Sequence, residues 1–91
     1  MFTKINEARV KSDSGFEIFF DHSILTYSED DRYIQIDIDH SPSTLIIYVN
    51  AIDKWEDNMD NILIDGSKKQ EILKNICEAL SFLKIKTKLI R

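Results

Sequence analysis

Glycine, proline, cysteine and histidine are all scarce in this chain, with two, one, one and two copies among 91 residues. So little glycine and proline excludes a loop-rich or low-complexity polypeptide. Gly15 and Gly66 stand alone, so no glycine-rich loop is present to cradle a phosphate. The lone Cys77 has no partner for an internal disulfide. No apolar run approaches the roughly 18 residues of a membrane span. The opening MFTKINEARVK lacks the apolar centre of a signal peptide. The expectation from these absences is a cytoplasmic protein without a membrane partner.

What is present suits one folded domain spanning 1–91. Hydrophobic residues make up 43% and charged residues 31%, which is enough to build one modest core and too little to enclose a large substrate cavity as well. The formal net charge is −4, and it is unevenly spread. Residues 1–66 carry five basic and fourteen acidic side chains, for −9, and residues 67–91 carry seven basic and two acidic, for +5. The plain explanation is a solvated surface whose charges meet their neighbours. The functional one is an acidic face made to meet a basic partner. An acidic balance argues against nucleic acid as the direct ligand, because phosphate binding needs clustered Lys and Arg.

Hydrophobic periodicity predicts an α+β fold. FEIFF at Phe16–Phe20 follows the turn signal Asp13-Ser14-Gly15 and predicts a strand. Ile24–Tyr27 predicts a second, and Ser28–Asp31 a polar tip. Arg32–Asp39 alternates strictly, with Ile34, Ile36 and Ile38 on one side and Tyr33, Gln35, Asp37 and Asp39 on the other. Thr44–Val49 is a nearly unbroken apolar run that suits a central strand. Residues 50–65 form a long connection. Ser67 and Gln70 have the spacing of a capping box that opens a helix. Ile72, Leu73, Ile76, Leu80 and Leu83 then mark one helical face. Ile85–Ile90 alternates against Lys84, Lys86 and Lys88, as expected of a lysine-protected edge strand. The expected architecture is an antiparallel four- to five-stranded meander packed by one C-terminal helix, with a final short strand returning to the sheet. Phe2 and Ile5 fit either an edge strand or a short helix.

Catalytic constellations are hard to assemble from these residues. Asp37, Asp39 and His40 could form a carboxylate pair beside an imidazole. The plain alternative is the wet side of a strand running into a turn, and no further His or Cys has ligand spacing. An EF-hand frame begun at Asp57 puts Met59 third, Ile62 at the glycine position and Lys68 at the glutamate position. Begun at Asp53, it ends on Ile64. Both frames fail. Cys77 lies one step from the apolar stripe of the helix, where cysteine is commonly a small hydrophobe. No serine occupies a glycine-flanked elbow. The expectation is therefore a non-enzyme, with no cofactor and no metal.

Binding chemistry is better represented. Residues 53–65 hold five acids (Asp53, Glu56, Asp57, Asp60 and Asp65) and one lysine around the only tryptophan, Trp55. The ring suits either of two roles, a cap that holds the connection on the sheet or a hot-spot anchor. The acids would complement a basic cleft and speed association with it. The expected partner-binding residues are Asp53, Trp55, Glu56, Asp57 and Asp60. The outer side of the Tyr33–Asp39 strand is the competing face.

The order of these elements resembles the immunity protein 74 family of bacterial polymorphic toxin systems. The resemblance rests on Tyr48, then Asn50-Ala51-Ile52-Asp53-Lys54-Trp55, the acidic Glu56-Asp57, the helix pattern Ile72-Leu73-Lys74-Asn75-Ile76-Cys77-Glu78-Ala79-Leu80, and Lys84-Ile85-Lys86. Tyr27–Arg32 fits the family's hairpin. Asn58 and Met59 stand where members commonly carry a proline. The resemblance implies a protein that binds and neutralises a cognate toxin, commonly one encoded beside it, in a contact-dependent or other polymorphic toxin system. An acidic connection would suit a toxin with a basic active site, such as a nuclease. Two other classes are compatible with the residues alone. One is a small adaptor using Lys84, Lys86 and Lys88 for strand addition, and the other is a metal-dependent enzyme using Asp37, Asp39 and His40.

Overall fold

The computed structural model describes residues 1–30, 32–52, 55 and 64–90. Among them are seven strands, namely β1 (Phe2–Asn6), β2 (Arg9–Ser12), β3 (Phe16–Phe20), β4 (Ile24–Glu29), β5 (Arg32–His40), β6 (Leu45–Tyr48) and β7 (Thr87–Ile90). A short 3-10 turn, Val49–Ala51, follows β6, and one α-helix, α1 (Gly66–Phe82), precedes β7. The strands form a single sheet in chain order from β1 to β7.

The fold is α+β, as the periodicity predicts, with two more strands than expected. The additions are β1, where Phe2 and Ile5 take the edge-strand alternative over the helical one, and β2, which the sequence does not mark. β2 buries only Val10 and Ser12, and β1 is almost wholly exposed, so neither carries a strong apolar signal. A turn joins them, in which the Asn6 side-chain oxygen accepts the Ala8 N–H at 2.8 Å. Gly15 closes the next turn at φ 101, a left-handed conformation that costs glycine little.

Neighbouring strands from β1 to β6 pair antiparallel, whereas β6 and β7 pair parallel. A parallel pair needs a crossover, and α1 supplies it. The Leu45 N–H donates to the Lys86 carbonyl at 2.8 Å at the start of that ladder. β5 is the longest strand and the hinge of the register. Arg32–Asp37 pairs with β4, and Ile38–His40 pairs with β6. Its burial alternates as the sequence predicts, with Ile34, Ile36 and Ile38 inward and Tyr33, Gln35, Asp37 and Asp39 outward.

α1 covers one face of the sheet. Ile72, Leu73, Ile76, Ala79 and Leu80 are its buried residues, and they meet Val10, Ile18, Leu25, Ile34, Ile36 and Ile47 in one cluster. Ala79 is a member that the apolar stripe did not mark, because a methyl side chain adds little hydrophobic signal. Leu83, the last position of the predicted stripe, is half-buried and sits at the C-cap.

Both ends of α1 differ from their sequence signals. Asp65, rather than Ser67, caps the N-terminus. Its side chain accepts the Lys68 N–H at 2.7 Å, and its backbone is extended at φ −74, ψ 171. A carboxylate there also meets the positive end of the helix dipole. Ser67 falls inside the first turn. At the other end Lys84 adopts φ 62, the Lys84 N–H donates to Ser81 O, and the Ile85 N–H donates to Leu80 O, each at 2.9 Å. That is a Schellman ending with lysine in the place glycine usually takes.

The two candidate caps make a clean comparison. Asp65→Ala should lower the unfolding free energy by about 1 kcal/mol in urea denaturation, and Ser67→Ala should change it by a few tenths at most. Equal losses would remove Asp65 as the cap.

Candidate partner-binding site

Of the five expected partner-binding residues, Asp53, Glu56, Asp57 and Asp60 lie outside the described residues. Trp55 is described, and it is only 4% exposed. Its ring stacks on Tyr27, with centroids 6.4 Å apart at 28°. The Arg32 guanidinium lies over the ring at 6.0 Å, a cation–π contact at the start of β5. The tryptophan is thus a core residue, and it roots the long connection beside the hairpin of β4 and β5. Ile52 and Ile64, on either side of it in sequence, are buried in the same cluster.

Tyr27 links this ring to the rest of the protein. It is wholly buried and stacks on Phe16 at 5.5 Å on its other side. Its hydroxyl donates to Glu29 Oε1 at 2.6 Å and accepts from Asn75 Nδ2 at 3.0 Å. Glu29 Oε2 accepts from Lys68 Nζ at 2.5 Å, and Lys68 also bonds Glu71. Burial, joined by the Glu29 hydrogen bond, pushes the Tyr27 phenol well above its ordinary range. Burial alone would raise the Glu29 carboxyl, but the hydrogen bonds from Lys68 and Tyr27 outweigh it and hold that group below its ordinary value. Burial works against the Lys68 charge too, and the bonds to Glu29 and Glu71 overcome it and raise its pKa. Sequence spacing does not reveal this network, because its members come from β4 and α1.

Val49 and Asn50, with Gly66, Lys69, Gln70 and Leu73 of α1, line a hollow of about 400 Å³. The hollow separates the 3-10 turn from the first turns of α1.

The sheet face turned away from α1 is the second candidate surface. Cross-strand partners Arg9, Phe19, Thr26 and Gln35 form one row over it, and Lys11, Glu17, Ser28 and Tyr33 form the next. Phe19 is 43% exposed, with the Arg9 guanidinium 5.4 Å from its ring and Arg9 bonded to Glu17. Tyr33 is 37% exposed. Further along, Asp37 lies opposite Ile24, and Asp39 lies opposite Ile46, which in turn faces Lys88. The Tyr48 hydroxyl donates to Asp39 Oδ2 over a long 3.4 Å.

The D-I-D-H run does not gather at one point. Alternation puts the His40 side chain on the opposite side of β5 from Asp37 and Asp39. The His40 ring instead lies 6.5 Å from that of His22 and 6.2 Å from that of Phe20, with Nε2 3.0 Å from the Asp21 carbonyl oxygen. Among the described residues, no three His, Cys, Asp or Glu side chains are grouped to hold a metal ion. Cys77 is half-buried on α1.

Two stability measurements probe the Trp55 end. Trp55→Ala should cost about 3–5 kcal/mol in denaturant unfolding, as for a large buried aromatic. A loss under 1 kcal/mol would mean that the ring is not packed as described. The depressed Glu29 pKa makes a contribution that is full above its ordinary value of 4.5 and fades as pH falls through the folded value. Glu29→Gln should therefore lower the unfolding midpoint at pH 7, and the gap to wild type should close on acidification below that value. A gap independent of pH would rule out the charged pairing as its source.

No curated protein and no solved structure matches the chain. No helix among the described residues is long and apolar enough to cross a membrane. A family model described as immunity protein 74 matches residues 17–89, from β3 through the long connection and α1 to β7. That span takes in Trp55, the Tyr27 network and the outer face of β5, and on this match the chain belongs to the immunity protein 74 family.

Proposed function

We propose that this protein binds and neutralises a cognate protein toxin, one encoded beside it, in the cytoplasm of the cell that makes it. The observation that carries the reading is the family match over residues 17–89. Such a protein acts by occupying its partner, not by turning over a substrate. One sheet, one helix and a shared core make a stiff scaffold, which reduces the ordering cost of association.

The acidic connection is our proposed site of first contact. Asp53, Glu56, Asp57 and Asp60 supply negative charge on both sides of a tryptophan that is itself 4% exposed. In this reading Trp55 contributes by rooting the connection, and the acids contribute by steering a basic partner. A toxin that handles phosphates, such as a nuclease, has the basic surface this requires.

The test is a toxicity rescue. The C-terminal part of the protein encoded immediately upstream is expressed in a sensitive host, with and without this chain. The expected outcome is growth arrest alone, restored growth on co-expression, and co-purification of the two proteins. A harmless neighbour, or one that does not bind, would overturn the proposal. Within a working pair, Asp57→Lys with Asp60→Lys should slow association and reduce its salt dependence. Unchanged association kinetics across salt would remove the connection as the steering element.

A further inference from the structure

The outer face of β5 holds a feature that stability does not explain. Aspartate is among the residues least suited to strands. Yet β5, an interior strand of the sheet, places Asp37 and Asp39 on the same face, about 7 Å apart along the strand. Two like charges at that spacing repel each other. Neither makes an ion pair among the described residues, whose ion pairs are Met1–Asp13, Arg9–Glu17, Lys68–Glu29 and Lys68–Glu71. Among the described residues, the side-chain hydrogen bond to this pair is the long one from Tyr48 to Asp39. A local choice that costs the fold, with no ion pair among the described residues to offset it, is the pattern of a functional position.

The surroundings of the two acids are apolar. Ile24 lies across from Asp37 and Ile46 across from Asp39, and both isoleucines are half-buried. Thr26, on the same face, is buried between its cross-strand neighbours Phe19 and Gln35. Phe19 itself stays 43% exposed beneath the Arg9 guanidinium. Aromatic and arginine side chains at the centre of a patch, with charges around them, are the composition of protein interfaces. α1 covers only the opposite face, so this one has no covering element among the described residues.

We infer that this outer face, which carries Asp37 and Asp39 on β5 and Phe19 on β3, is the main docking surface for the toxin domain, and that the domain meets it with Arg or Lys side chains set in an apolar patch. The inference rests on the immunity reading and sharpens it. On binding, the two carboxylates gain counter-charges that no described residue supplies through an ion pair. Ile24 and Ile46 flank them across the strands, so each ion pair forms in a drier setting than at an open surface. The acidic connection then governs the rate of encounter, and the sheet face governs the lifetime of the complex.

The experiment measures dissociation constants between the full chain and the C-terminal domain encoded upstream, by calorimetry. The variants are Asp37→Asn/Asp39→Asn, Asp37→Lys/Asp39→Lys, Phe19→Ala and Asp57→Lys/Asp60→Lys. Asp37 and Asp39 are exposed and repel each other, so the Asn pair should keep the wild-type unfolding midpoint or raise it slightly. It should raise Kd at least about 30-fold, through a faster off-rate, and the Lys pair should raise it more. Phe19→Ala should raise Kd roughly 10-fold. Wild-type affinity in both Asp37/Asp39 variants would overturn the inference, above all if Asp57→Lys/Asp60→Lys abolishes binding in the same assay. Failure of the wild-type chain to bind is a different result. It would sink the immunity reading, and this surface with it.

Discussion

Tyr27 is the side chain on which the arrangement of the candidate surfaces depends. Its ring lies between Phe16 and Trp55, and its hydroxyl is shared between Glu29 and Asn75. One residue therefore ties β3, β4, α1 and the long connection together. A buried phenol needs its hydroxyl satisfied, and a half-satisfied network would cost more than an apolar core. Here the donor and acceptor are both used, and no buried side-chain polar atom among the described residues lacks a partner. The ion pair of Lys68 with Glu29 extends the same tie to the first turn of α1. That turn follows directly on the acidic connection, so both ends of the connection are anchored to the same cluster.

The two sheet faces are unequal. Among the described residues one helix covers one face of seven strands. The other face has no covering element among them. Most antiparallel sheets of this kind carry small polar or alternating charged residues there. This one carries Phe19, Tyr33, Ile24, Ile46 and two aspartates that make no ion pair among the described residues. An inhibitor of another protein needs a rigid, preformed surface, and a sheet face braced by a helix is a stiff one. The edges are treated differently. β7 carries the exposed Lys88, with the exposed Lys86 just before it, and the register of β1 shifts between Lys4 and Asn6, both of which discourage strand addition.

Trp55 illustrates why composition alone leaves a site open. A tryptophan among acids fits a hot-spot anchor and a core cap equally well. The choice was made by Tyr27 and Arg32, which lie far upstream and enclose the ring. Asp37, Asp39 and His40 show the reverse. Adjacent in sequence, they are separated by the pleat of β5, which turns His40 toward Phe20 and His22.

Periodicity determined much of this protein by itself. The period of two over Arg32–Asp39 and the helical stripe from Ile72 to Leu80 assigned strand, helix and buried face correctly, because each is a repeating apolar signal over several residues. The family was legible too, in the order of strand, tryptophan and helix. Elements with few apolar residues were not legible. β1 and β2 hold together through ladder bonds that leave little trace in side-chain type. The caps also escaped, since Asp65 and Ser67 are equally good candidates until the backbone selects one, and Lys84 fills a position where glycine would have been the signal. The pairing of Lys68 with Glu29, the stacking on Trp55 and the parallel return of β7 were decided only by tertiary structure. Each joins residues far apart in the chain, and distance along the sequence carries no information about distance in space until the sheet has closed.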